Sequence, residues 1–358
     1  MTNSIRTLLL IALTTGLSHG ETRVSGVIDS YVRWSPEESP YIVKDDILVA
    51  RGARLVITPG TRIVLGQPSV KNREIPQRDQ TDSHMVAIKV EGSLTCTGRR
   101  NNRISFSPLY RSSAKCSWYG IVYSNAHDEL SEVAFTDISG ACNGVIAEGC
   151  APLIRNTVLR FNNVAIRCVD KGHARVFNCV LTGNQTCAVK VNGSNPTFYN
   201  NVIAFNRNNG LWCDGASVMA FEYNCVYGNP DGNFLDCDPE LGVLVRTNAN
   251  GDSTDTYHNI YQNPVFAGSA ADSLAAERDI YSRTDMSRVE DTSLARVLHD
   301  SLPDSAAASP PEDSDLPYEL SEYSPCIDAG KKERKFKDRD GTRNDMGIYG
   351  GQEFLESR

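Results

Sequence analysis

Residues 156–177 read NTVLRFNNVAIRCVDKGHARVF, residues 178–199 read NCVLTGNQTCAVKVNGSNPTFY, and residues 200–223 read NNVIAFNRNNGLWCDGASVMAFEY. The next unit opens on Asn224-Cys225-Val226, so the opening triplets stand 22, 22 and 24 residues apart. A second asparagine follows each opening, as Asn162, Asn184, Asn206 and Asn229. Gly120-Ile121, Gly144-Val145, Ala165-Ile166, Ala188-Val189 and Gly210-Leu211 form a parallel series with steps of 24, 21, 23 and 22. Short β-rich units at a fixed period are the mark of a stacked solenoid, because each unit buries its apolar side only against its neighbours.

Within each unit the apolar residues alternate with period 2, which sends successive side chains to opposite faces of a strand. This puts Ile121, Val145, Ile166, Val189 and Leu211 in one inward file, and Tyr123, Ala147, Cys168, Val191 and Cys213 in a second. Between them, Val122, Ile146, Arg167, Lys190 and Trp212 point outward, one per coil. The recurrent asparagines are expected at turns, where the amide bonds backbone and the asparagine of the next coil and tolerates a left-handed conformation. Upstream, Gly52 to Thr61 and Ile63-Val64-Leu65 carry the same alternation around the turn at Pro59-Gly60.

The first 20 residues read as a secretory signal: Arg6, a short apolar run from Leu8 to Leu13, and Ser18-His19-Gly20 before a cut at Glu21. That apolar run is far short of the ~20 residues a membrane span needs, so a secreted or cell-surface location is expected, with no transmembrane segment. The formal net charge is −8, and residues 268–322 carry 13 acidic against 4 basic side chains. Nothing basic enough for nucleic acid stands out. The expected organisation is residues 1–20 as signal peptide, 21–267 as solenoid, 268–322 as an acidic Ser/Ala-rich insertion, part helical or disordered, and 323–358 as a closing segment. Leu294, Val297 and Leu298 are the candidate helix face in the insertion, and residues 67–84 read as a polar loop. Eleven cysteines in an exported chain suggest disulfides, with Cys142–Cys150 and Cys225–Cys237 the expected close pairs. Cys168 and Cys213 are expected as buried core residues.

Three blocks carry a family resemblance. They are the Gly-Ala-x-Leu-x-Ile-x-Pro-Gly-Thr run within 49–63 with Trp118-Tyr119-Gly120-Ile121, the asparagine-rich repeat of 144–229, and the C-terminal block from Ser324-Pro325-Cys326 to Gly350-Gly351. Together they resemble exported bacterial right-handed parallel β-helix proteins of the pectate-lyase-like superfamily. The resemblance implies an all-β right-handed parallel β-helix, here of about ten coils, with a C-terminal closing segment. It leaves function open, because the family spans lyases, hydrolases, epimerases and adhesins.

The outward file offers the first place for chemistry. Arg167, Lys190 and Trp212, with Asp214 beside them, suit an extended sugar chain: an indole stacks on sugar faces and cations meet carboxylates. Resembling lyases place acidic calcium ligands and a basic proton acceptor on such a row, and this chain has only fragments of that set. Gly172-His173 is followed by Ala174 and lacks the paired carboxylates that glycoside hydrolysis requires. Asp338, Asp340, Asn344 and Asp345 surround a glycine turn and could offer oxygens to Ca²⁺, without the spacing of an EF-hand loop. No catalytic residue is assigned. The expected function is non-enzymatic binding of a polysaccharide or cell-surface component. A polysaccharide lyase and a structural envelope component are the alternatives.

Overall fold

The structure, a computed structural model, describes residues 21–66, 85–109, 116–124, 126, 130–267 and 318–351. The expected signal peptide, the loop of 67–84 and all of the acidic insertion but its last few residues lie outside these. Each turn of the chain lays down three short parallel strands, one on each side of a prism. One turn consists of Leu153–Arg155, Val158–Arg160 and Val164–Val169, and the next of Arg175–Phe177, Val180–Thr182 and Cys187–Val191. The side holding Leu153–Arg155 and Arg175–Phe177 is an eight-stranded sheet running from Tyr31–Trp34 to Ala220–Glu222. The solenoid therefore has about eight turns rather than about ten, or roughly 34 Å between first and last strand at ~4.8 Å per turn. The other two sides join through the long strand Tyr41–Val49, which pairs with Arg62–Leu65 by its first half and Ala87–Val90 by its second.

Both inward files fall where the alternation puts them. Ile47, Ile88, Ile121, Val145, Ile166, Val189, Leu211 and Phe234 are in register from turn to turn. Val90, Tyr123, Ala147, Cys168, Val191 and Cys213 run beside them. Trp34, Ile57, Cys96, Val133, Ile154, Val176, Phe198 and Phe221 complete the core from the eight-stranded side. Every member of that third file is buried.

The corners explain the asparagines. At two of the corners the bend is a single residue of positive φ, followed at once by a buried residue that is asparagine in every case below but Cys179. Asn178 (φ 51°) precedes Cys179, Asn200 (60°) precedes Asn201, Tyr223 (55°) precedes Asn224 and His258 (63°) precedes Asn259. At the next corner Phe161 (54°) precedes Asn162, Gly183 (65°) precedes Asn184, Phe205 (59°) precedes Asn206 and Gly228 (66°) precedes Asn229. Asn162, Asn184, Asn206 and Asn229 form a continuous ladder in which each side-chain amide donates to the oxygen of the next, at 3.3, 2.8 and 3.0 Å. The second hydrogen of each amide goes to a backbone carbonyl of the preceding turn, Ile138, Leu159, Leu181 or Ile203. The polar atoms that a bend strands in an apolar interior are thereby satisfied.

The opening asparagines are not one file. Asn156, Asn178 and Asn200 are left-handed corner residues, whereas Asn224 stacks on Asn201 and is followed by Asn259. Val202 pairs with Cys225, not with Val226. One extra residue before Asn224 slips the sequence repeat by one against the spatial one, and Tyr223 takes the corner. This inner ladder ends where Asn259 donates to the buried Asp255 carboxylate, which also accepts from Tyr261.

The cysteine pairing differs from expectation. Cys142 is bonded to Cys116 on the neighbouring turn, with 4.9 Å between Cα atoms, and not to Cys150. Cys237 lies against Cys213, so Cys225–Cys237 is not a pair. Cys168 is fully buried in the core, as expected, and Cys213 is almost so.

The closing segment covers a side of the prism rather than an end. Val158, Val180, Val202 and Cys225 point out of the middle strands, yet each is at most 1% exposed. Met346 and Ile348 pack over them. Asn156 donates to the carbonyls of Ile348 and Gly350, and Asn178 to Asn344 Oδ1 and the carbonyl of Asp345. Phe336 meets the stacked Phe177 and Tyr199 edge-on, with centroids 5.7 and 5.9 Å away. Gly350 must be glycine here, since a Cβ would sit 2.0 Å from the Asp345 carbonyl and 2.6 Å from Asn178 Nδ2.

Candidate functional site

The outward file is continuous. Leu48, Lys89, Val122, Ile146, Arg167, Lys190, Trp212 and Leu235 are cross-strand partners in that order. Arg167, Lys190 and Trp212 thus stand side by side, one turn apart, as the alternation predicts. Lys190 Nζ lies 3.7 Å from the centroid of the Trp212 ring. A cation over an indole face is held by the ring quadrupole, so charge and flat apolar surface form one unit. Arg167 is half-buried, and its Nε has no hydrogen-bond partner among the described residues. Lys89 extends the file in the other direction and pairs with Asp46 at 3.6 Å. Lys89 was missed in the sequence, although Ile88-Lys89-Val90 has the same in-out-in pattern as Val189-Lys190-Val191.

Asp214 is not part of this row of charges. Its carboxylate turns back into its own loop, accepting from Ser217 Oγ at 2.7 Å, Ser217 N at 2.9 Å, Ala216 N at 3.2 Å and Gly193 N of the preceding turn at 2.6 Å. Those donors favour the charged form, the Ser217 hydroxyl foremost, and hold its pKa down to about 2. It is a turn lock, and its oxygens are spoken for.

The C-terminal carboxylates also act on backbone. Asp338 accepts from the N–H of Gly351 at 2.6 Å and of Asp345 at 3.0 Å. Asp340 accepts from Thr342 N and Oγ, at 2.9 and 2.6 Å, and Asp345 from Asp328 N at 2.7 Å. Asn344 is fully buried, takes a hydrogen bond from Asn178 and donates to the Phe336 carbonyl. Burial is the main cause raising the pKa of Asp338, to about 7, and that of Asp345. Among the described residues no three His, Cys, Asp or Glu side chains group as a metal site. The donor set is thus arranged to hold the segment's own turns, which does not fit a calcium cage of 6–8 converging oxygens. His173 lies exposed in a turn, its N–H bonded to the Cys150 carbonyl at 2.8 Å. No helix among the described residues is long and apolar enough to cross a membrane.

Comparison with known proteins agrees with the architecture. Residues 87–261 match the family model described as a right handed beta helix region. No curated protein matches the sequence. Among solved structures, a chain titled "Crystal structure of pectate lyase Pel9A" aligns at 11% identity with a TM-score of 0.32, covering 85% of this chain and 89% of that one. At that score the alignment carries no argument. The three-sided parallel turns, their files and the matched region lead to one conclusion: the chain is a right-handed parallel β-helix protein.

Proposed function

We propose that this protein binds an extended glycan, as a secreted or cell-surface component without catalytic activity of its own. The carrying observation is the Lys190–Trp212 unit at 3.7 Å, in file with Arg167 and Lys89. Its spacing suits a linear polymer, because ~4.8 Å per turn repeats donors along a straight line, close to the length of a sugar residue. A sugar carboxylate would draw the ammonium aside and leave the indole for the ring to stack on. Arg167, half-buried beside Lys190 in the file, supplies a second cation for a carboxylate.

Retention of the protein on polygalacturonate and alginate gels tests this. Lys190→Ala and Trp212→Ala should each shorten retention, and Asp214→Ala should leave it near wild type if the fold is intact. Unchanged retention in both of the first two removes the file as a binding surface. Release of unsaturated product from pectin, polygalacturonate or alginate with Ca²⁺ would instead favour the lyase alternative. Failure to bind any member of a glycan array would favour a structural envelope role.

A further inference from the structure

Four cysteines outside the Cys116–Cys142 bond stand in two facing pairs. The first closes the end of the helix. Cys213 is the last member of its inward file, above Val191. On the following turn Phe234 and Leu235 pair with Leu211 and Trp212. Asp236 then takes a left-handed conformation (φ 55°), which brings Cys237 over Cys213 with the two Sγ atoms 2.6 Å apart. That is far inside ordinary non-bonded contact, whose optimum is roughly 3.5–4.0 Å between heavy atoms.

The second pair ties two parts of the chain together. Cys225 ends the outward file of Val158, Val180 and Val202, and Cys326 belongs to the segment that covers that file. The two side chains are fully buried in one contact cluster, where the Cys225 thiol donates to the Gln262 carbonyl at 3.3 Å. Their surroundings are apolar, with Ile260, Phe266, Tyr318 and Ala329 in the same cluster.

We propose that both pairs are oxidised in the folded protein, giving Cys213–Cys237 and Cys225–Cys326 disulfides beside Cys116–Cys142. The three bonds do different work. Cys116–Cys142 joins adjacent turns, Cys213–Cys237 seals the last turn, and Cys225–Cys326 fastens the covering segment to the helix. The reagent is a disulfide oxidant, either a dithiol–disulfide oxidoreductase or a small disulfide such as oxidised glutathione. One cysteine thiolate attacks an oxidant sulfur, forming a mixed disulfide and releasing the first oxidant thiol. The partner thiolate then attacks the protein sulfur and releases the second. Two electrons pass to the oxidant, and the two cysteine protons leave with its thiols. Cys225 and Cys326 are shielded once the segment has docked, so their exchange accompanies docking. Half-buried Cys237 remains within reach from the end of the stack. The Cys225–Cys326 bond closes a loop of about a hundred residues, the long-loop case in which a cross-link most restricts the unfolded chain.

The decisive experiment maps thiols on the full chain, produced in an oxidising compartment and alkylated in denaturant without reductant before digestion. Linked peptides Cys213–Cys237 and Cys225–Cys326 are expected, with Cys96, Cys168, Cys179 and Cys187 alkylated. Alkylation of Cys225 and Cys326, or of Cys213 and Cys237, overturns the bond concerned, as does a link to any other cysteine. A second measurement compares Tm with and without reductant, each sample first unfolded and refolded in its own buffer so that buried bonds are exposed to it, for the wild type and for Cys326→Ala. The reductant-induced fall should be smaller by several degrees in the variant; an equal fall in both would show that the Cys225–Cys326 bond is absent.

Discussion

Asn184→Ala is the sharpest test of what holds the turns together. The Asn184 amide nitrogen donates to the Leu159 carbonyl at 3.2 Å and to Asn206 Oδ1 at 2.8 Å. Its oxygen accepts from Asn162 N at 3.1 Å and from Asn162 Nδ2 at 3.3 Å. Truncation removes all four bonds inside a corner that is fully buried. Two of the groups keep another partner: Asn162 Nδ2 still reaches the Ile138 carbonyl, and Asn206 Oδ1 still accepts from the backbone at position 184. The Leu159 carbonyl likewise keeps its partner in the parallel ladder with the next turn, so only the Asn162 N–H is left bare. At ~1–3 kcal/mol for a buried group stripped of its partner, the loss comes to about 2 kcal/mol. That is a large part of the ~5–15 kcal/mol that holds a typical domain. Urea unfolding followed by tryptophan fluorescence should show it as a midpoint lowered by roughly 0.7 M, for a slope of about 3 kcal/mol/M. Asn208→Ala is the control, because its side chain is exposed and such changes usually stay within ~0.5 kcal/mol. If Asn184→Ala and Asn208→Ala unfold at the same midpoint, the ladder is ornament and the turns are held by their apolar files alone.

Other outcomes follow from particular contacts. Phe336→Ala removes the ring that meets Phe177 and Tyr199, at about 3 kcal/mol for a buried phenylalanine, and limited proteolysis should then cut within 330–351 faster than in the wild type. Burial, then the nearby Arg246, lowers the pKa of His258, which stacks on Tyr223 at 4.8 Å. A histidine held neutral in the folded state contributes stability that is intact above its unfolded value of 6.5 and lost as pH falls below it. Buried Asp338, with its pKa raised to about 7, favours the fold as pH falls and opposes this trend, so the His258 part is read by difference: between pH 7 and pH 5 the Tm of His258→Phe should gain relative to that of the wild type, and parallel profiles would discount the residue. Chelator should leave Tm unchanged if the backbone N–H groups and the Thr342 hydroxyl are the partners that hold Asp338, Asp340 and Asp345, whereas a fall reversed by Ca²⁺ would put a cation among these residues and Asn344.

The sequence alone determined the repeat, the all-β class and the parity of each strand residue. These are local properties: a period of two fixes which side chains share a face, and a period near 22 fixes which of them stack. Arg167, Lys190 and Trp212 could therefore be placed side by side before any coordinates. The same reasoning failed at Asn224, because alignment by residue type hides a one-residue insertion that a corner absorbs. Only the tertiary structure decided the cysteine partners and the covered side. Cys225 and Cys326 are separated by about a hundred residues, and Asn178 and the Asp345 carbonyl that it holds by 167. No local pattern encodes such meetings. They depend on where the chain returns after the helix is wound, and on Val158, Val180 and Val202 offering an outward apolar stripe that Met346 and Ile348 could bury.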